Sequence, residues 1–265
     1  LKDVIAYFDE PHADSSDFPQ HLVSKLASSE VKVALSGDGA DELFMGYGWY
    51  QKYWHTPRYK LDRIFGNPYS VFKKITQVFS KNERHSLLKD KVSGQDSFEK
   101  QTLVNAHDNI DKINRHDLLI YLPGQLLSKV DRTSMMHSLE MRAPFLDTAL
   151  VEFVYNLPKE FKLNKNENKI ILKEILSEIM PREFVYRRKQ GFGAPIQEWI
   201  KEKTIEDELN RLIKNDNHPM FEHLNRDEVA KIIDQRLSLG KSSVQKIWSL
   251  LCLGLWFELN HQFHE

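Results

Sequence analysis

Apolar positions in this chain recur mostly at helical spacing, and only one short run reads as a strand. Val4–Phe8 is a brief apolar run closed by Asp9-Glu10-Pro11. Ser15/Ser16 to Ser28 reads as a capped helix with Phe18, Leu22 and Leu26 on one face. Val31, Val33, Ala34 and Leu35 then predict a short buried strand, since β-branched residues suit a pleated surface covered on both sides. Ser36-Gly37-Asp38-Gly39 must turn sharply, and a helix is expected from Asp41 to about Trp54. Residues 55–115 are less regular and read as a helical insertion with loops.

Helical spacing returns from residue 116. Gln125–Leu139 carries Leu126, Leu127, Val130, Met135 and Leu139, and Pro144 ends that segment. Asp147 can cap the next helix, whose expected buried stripe is Leu150, Phe153, Val154 and Leu157. Asn168–Met180 reads as a helix stopped by Pro181, and 187–195 as a basic, glycine-containing loop. The last helix starts at Ser242/Ser243 and repeats Val244, Ile247, Trp248, Leu251, Leu255 and Leu259, a packing stripe.

Composition narrows the function. A formal net charge of -1 gives no argument for nucleic acid or an anionic membrane as a partner. No apolar stretch approaches the roughly 20 residues that cross a bilayer. The single cysteine, Cys252, cannot form an internal disulfide, which points to a reducing cytoplasm. The 11 histidines include no HxxxH pair with a helper carboxylate, and Ser36 sits in no GxSxG elbow. The first residue is Leu, as expected of a piece of something longer.

The chemistry concentrates in VKVALSGDGADELFMGY, residues 31–47. Strand, glycine turn and helix start form the usual cradle for a phosphate at the carboxyl edge of a parallel sheet. Asp38, Asp41 and Glu42 would repel a polyphosphate unless a hard cation such as Mg²⁺ lay between them. The plainer reading, in which Asp38 and Asp41 shape a turn and cap a helix, stands beside it. Lys129 and Arg132 share a helix face, and buried cations need carboxylates or a bound anion. Arg142 with Glu140 or Asp147 reads equally as an ordinary ion-pair network. Lys169, Arg187, Arg188 and Lys189, each taken alone, read as solvated cations.

In combination the motifs are more specific. DEPHADSSDFP (9–19), VALSGDGADELFMGY (33–47), LLSKVDRTSMMHSLEMRAPFLD (126–147), NKIILKEIL (168–176) and RRKQGFGAP (187–195) resemble, in order, the C-terminal synthetase domain of the glutamine-dependent asparagine synthetases. The resemblance implies an α/β, predominantly α-helical fold, part of an adenine-nucleotide-hydrolase-like parallel-sheet domain. Residues 1–54 would be its residual nucleotide-binding part, 55–115 a helical insertion and 116–265 a helical part. It implies ATP and Mg²⁺ as cofactors and amide synthesis through an acyl-adenylate, most simply aspartate to asparagine. Ammonia would come from a glutaminase domain not contained in this chain.

By the same resemblance, Ser36 and Gly37 contact the nucleotide, Asp41 holds Mg²⁺–pyrophosphate, and Asp38 lies beside the reacting acyl group. Lys169 stabilises the departing pyrophosphate, and Lys129, Arg132, Glu140 and Arg142 wall the substrate from the phosphates. The family commonly has Glu where this chain has Asp38, about 1.5 Å longer in reach. A uronic or other envelope-sugar acid is therefore an alternative substrate, and a non-catalytic scaffold is the alternative from another class. The family's SGGxDS loop does not precede DEPHADSS here, so this stretch by itself is expected to be inactive. Missing sheet strands should leave apolar surface uncovered and favour self-association, a homodimer among the outcomes.

Overall fold

The computed structural model describes residues 1–55, 76–90, 108–187, 191–234 and 241–260. Helices α1 (Lys2–Ala6) and α2 (Asp17–Ser28) lead into strand β1 (Val33–Leu35). Helices α3 (Ala40–Leu43), α4 (Gly48–His55), α5 (Lys81–Leu87) and α6 (Asn109–His116) follow. Helix α6 runs directly into a π-helical segment, Asp117–Leu127, and then α7 (Ser128–Met135). Pro123 lies within that segment; it has no N–H to donate, and its ring would crowd the preceding turn of an α-helix. The wider π turn relieves that crowding.

Strand β2 (Glu140–Arg142) pairs in parallel with β1, Ala34 opposite Met141. Then come α8 (Thr148–Asn156), α9 (Ile170–Ser177), α10 (Arg182–Val185), α11 (Ile196–Trp199), α12 (Lys203–Lys214), α13 (Met220–His223), α14 (Arg226–Asp234) and α15 (Lys241–Asn260).

The main core forms around α15, whose Val244, Ile247, Trp248, Leu251 and Leu255 are buried as the periodicity predicts. They meet Leu209 and Leu212 of α12, Met220 and Phe221 of α13, and Val229 and Ile233 of α14. A smaller cluster of Leu43, Phe44 and Val154 packs with Phe145, Leu150 and Ile171, and so props the segment after β1 from below.

Several expectations are corrected. Strand β1 is not buried on both faces: Val33 is 41% and Leu35 73% exposed, because β2 is its only strand partner among the described residues. On α2 the buried positions are Asp17 and Ser24, while Leu22 and Leu26 face outward, since the helix packs its polar side on α7. The single helix expected over 41–54 breaks at Phe44–Tyr47, where Met45 adopts a φ of 53°. The helix expected to run on to Pro144 stops at Met135; Ser138 turns the chain at a φ of 54° into β2. Phe153 is exposed, so the stripe of α8 narrows to Leu150, Val154 and Leu157. Much of 55–115, with Arg188 and Lys189 of the basic loop, lies outside the described residues.

Candidate active site

The turn after β1 is shaped by local chemistry. Ser36 N–H donates to Arg142 O at 2.8 Å, which extends the parallel ladder by one bond. Ser36 Oγ donates to Asp38 Oδ2 at 2.7 Å and folds the Asp38 carboxylate back over the turn. Gly39 caps α3 at a φ of 88°, in the left-handed region, and a Cβ there would overlap Leu146. Two separate constraints therefore require glycine at this position.

Asp41 and Lys169, far apart in sequence, meet at 2.9 Å between carboxylate and ammonium. Both side chains are about one quarter exposed, so the pair is reachable from solvent. Lys169 itself adopts a left-handed conformation, φ 53°, at the N-cap of α9. That conformation is uncommon for a non-glycine residue. It is secured by Lys169 N–H donating to Phe44 O at 3.2 Å and Asn168 Nδ2 donating to Gly46 O at 2.8 Å.

Lys129 and Arg132 reach elsewhere, to the 9–16 segment. Lys129 is buried and donates to Ser16 Oγ at 2.7 Å and Asp14 Oδ2 at 3.3 Å. Burial works against ionisation of Asp14, but the Lys129 charge and the hydrogen bonds from Ser16 and Lys129 outweigh it and hold the carboxyl below its ordinary range. Arg132 pairs with Asp9. Arg142 and Glu140 pair with each other at 2.8 Å, both more than half exposed. Of the nine residues singled out from the sequence, the structure joins Asp41 to Lys169 and Ser36 to Asp38, seats the backbone of Arg142 on Ser36, and turns Lys129 and Arg132 toward the upstream motif.

Beneath the turn lies a buried polar layer that sequence reasoning missed. Glu42 is fully buried, its Oε1 accepts from Tyr47 OH, and Oε2 has no hydrogen-bond partner. Burial pushes the Glu42 carboxyl up. Asn114 Nδ2 donates to Glu42 O at 2.6 Å, and the buried Asp117 accepts from Tyr50 OH at 2.6 Å and Trp49 Nε1 at 3.1 Å. Burial raises Asp117 too. Glu42 follows Asp41 directly in the motif, yet only three-dimensional burial separates their roles. Asp14 and Ser16 lie in the ADSS run of the 9–19 motif, which was the available signal for them.

A cavity of about 670 Å³ opens beside these layers and is lined by Asp14, Ser15, Trp49, Tyr121, Gln125 and Trp248 among others. Its lining includes neither Asp41 nor Lys169. Tyr47 joins the cavity wall to the buried layer: it stacks on Trp49 at 4.0 Å, meets Tyr121 edge-on and donates to Glu42. From the 191–195 stretch, Ala194 N–H donates to Ser15 O at 3.3 Å, so the glycine loop docks on the same upstream segment.

The chain is similar to an asparagine synthetase (glutamine-hydrolyzing) 1 of Bacillus subtilis, at 28% identity over 98% of this chain and 45% of that protein. Asparagine synthetase (glutamine-hydrolyzing) 3 of the same organism is 30% identical over 94% of this chain and 39% of its own length. A putative asparagine synthetase (glutamine-hydrolyzing) of Mycobacterium tuberculosis is 26% identical over 97% of this chain. This chain thus spans somewhat under half the length of the curated relatives it matches. The family model described as asparagine synthase matches residues 1–262, and by that match, extending over both strands, the glycine turn and the helical core, the chain belongs to the asparagine synthase family.

Proposed function

We propose that this chain forms the pyrophosphate-facing and acyl-facing wall of an ATP-dependent amide-forming site, with aspartate as the acid and glutamine-derived ammonia as the nitrogen donor. The activity is proposed for the full-length polypeptide that carries these residues. The observation that supports it best is the Asp41–Lys169 contact, which joins the two residues whose motifs imply phosphate-side roles. Lys169 also holds a left-handed φ, a costly backbone conformation of the kind that clusters at functional sites.

In this reading a carboxylate oxygen of the acid attacks the α-phosphorus of ATP, and pyrophosphate leaves. Ammonia then attacks the acyl carbon, AMP departs, and the nitrogen loses a proton. Lys169 supplies positive charge where pyrophosphate accumulates negative charge, a contribution that is largest away from bulk water. Asp38, held by Ser36 Oγ within the turn, is the acceptor proposed for the ammonia-derived proton. Ser36 and Gly37 present backbone to the nucleotide; a Cβ at Gly37 would meet nothing within 4 Å, so the surface there is open. Lys129, Arg132, Glu140 and Arg142 form the proposed substrate wall, with Lys129 locked by Asp14 and Ser16.

Mg²⁺ fits this donor set in one way only. Among the described residues no three His, Cys, Asp or Glu side chains converge, so there is no all-protein cage. Mg²⁺ commonly binds through one or two carboxylates plus substrate phosphates and water, and Asp41 is the carboxylate placed to contribute. When bound, the ion neutralises charge on the phosphate oxygens.

The test uses the full-length enzyme with glutamine and ATP, measuring pyrophosphate release against a panel of acids. Aspartate-dependent release is expected, and it should fall at least ~10²-fold in Asp41→Ala and in Lys169→Ala, the scale of losing one charge-stabilising group. Release with a uronic acid and none with aspartate would replace the substrate assignment. Normal turnover in both variants would refute the roles given to the pair.

A further inference from the structure

We infer that Gly46 and Asn168 are positioning residues for the Asp41–Lys169 pair, Gly46 through the side chain it lacks and Asn168 through the bond it makes. The inference deepens the reading above and rests on it for the chemistry, but its geometry stands independently.

Gly46 is not in the left-handed region, so its φ does not itself demand glycine. Space is what excludes a side chain. A Cβ on Gly46 would overlap two atoms at once, Asp41 Oδ1 and Lys169 Cε, and no backbone atom is among its nearest neighbours. The volume a methyl group would take is occupied by the ion pair itself. Alanine there can be relieved only by moving one or both of those side chains, since their ends are freer than the chain that carries them.

The main chain holds Gly46 in that place from both sides. Gly46 N–H donates to Asp41 O at 2.7 Å, which closes the turn after α3. Asn168 Nδ2 donates to Gly46 O at 2.8 Å, and the next residue, Lys169, donates its N–H to Phe44 O. Two adjacent residues before α9 are thereby stapled to two residues of the turn. The left-handed φ of Lys169 and that of Met45 lie on either side of this staple. Neighbouring structure must offset the cost of such conformations, and the staple is the local source. The reach of the Lys169 ammonium is set here, not by the helix that follows.

The experiment compares wild type, Gly46→Ala and Asn168→Ala in the full-length polypeptide. In a crystal structure of Gly46→Ala, Asp41 and Lys169 should be separated beyond 4 Å; a retained contact overturns the inference, whatever reaction the enzyme performs. In kinetics, Gly46→Ala should lower kcat for acid-dependent pyrophosphate release and weaken inhibition by added pyrophosphate, each about ten- to hundred-fold, as misplacing a group by about 1 Å does. Inhibition by AMP and the melting temperature should stay at wild-type values, which a general structural defect would not allow. Asn168→Ala should shift the same two quantities in the same direction by a smaller factor, and it carries the test if Gly46→Ala does not fold. Unchanged pyrophosphate inhibition in the folded variants, or parallel loss of AMP and pyrophosphate binding, refutes the positioning role. If the wild type itself shows no acid-dependent pyrophosphate release, the functional reading fails while the crystallographic comparison still decides the geometry.

Discussion

Lys129→Met isolates what the buried cation does for the 9–16 segment. The substitution keeps the length and apolar stem of the side chain and deletes the ammonium that donates to Asp14 Oδ2 and Ser16 Oγ. Asp14 is left four-fifths buried without its cation, though Ser16 N–H still donates to it at 2.9 Å. Removing one partner of a buried pair typically costs 3–5 kcal/mol. The surviving hydrogen bond and the residual exposure of Asp14 place this case lower, at about 2–3 kcal/mol by the same rule. For a chain of this size that corresponds to a fall of roughly 4–5 °C in melting temperature.

The pH dependence sharpens the prediction. In the wild type Asp14 has a folded pKa below its unfolded value, so its contribution is present above the unfolded pKa and lost as pH falls through the folded one. In Lys129→Met the opposing charge is gone, burial dominates, and the folded pKa rises above the unfolded value. The deficit of the variant is then largest at neutral pH and shrinks on acidification, as the buried carboxyl takes up a proton. Calorimetry of wild type and variant at pH 7.5 and 4.5 measures both quantities. A deficit below about 0.5 kcal/mol at neutral pH, the scale of an ordinary surface change, would refute the argument. So would a deficit that does not narrow on acidification.

Three further outcomes are expected. Gly39→Ala combines a left-handed φ with overlap onto Leu146 and should destabilise the protein by about 1–3 kcal/mol in urea unfolding. His218 has a fully buried ring whose pKa burial depresses, although Glu258 at 3.1 Å pulls the other way. Its contribution is therefore present above the unfolded pKa and is lost as pH falls toward the folded one, so His218→Gln should flatten the stability profile between pH 7 and 5. Leu22, Leu26 and Leu35 are 62%, 73% and 73% exposed, and the triple change to Glu should shift the 265-residue chain toward monomer in analytical ultracentrifugation. An unchanged sedimentation profile would show that these side chains do not drive association.

Helical periodicity was legible wherever one face of a long element is buried. The α15 stripe from Val244 to Leu255 was read correctly because a continuous core covers it. The same reasoning failed on α2, where Ser24 is buried and Leu26 is not. Periodicity records that a face is apolar without saying which surface of this chain meets it. The break at Phe44–Tyr47 was marked in the sequence by Gly46 and Gly48 alone. Helix propensity alone favours continuation through Leu43, Phe44 and Met45, and the tertiary bonds from Asn168 and Lys169 override it.

What the amino-acid order alone determined is the chemistry available: a glycine turn with carboxylates behind a short strand, and cations spaced along later helices. It determined these because φ freedom, charge and helix spacing are local properties. Which cation meets which carboxylate was a tertiary decision. Lys169 goes to Asp41 because a staple of two hydrogen bonds and a missing Cβ at Gly46 put it there. Lys129 goes to Asp14 because α2 and α7 pack together and bring their ends into contact. The division between Asp41 and Glu42, adjacent in sequence, was likewise settled by packing: one side chain reaches solvent and a lysine, the other is sealed beneath the turn. A charge is written in the sequence, but its cost and its partner depend on the dielectric and the neighbours that only the folded chain supplies.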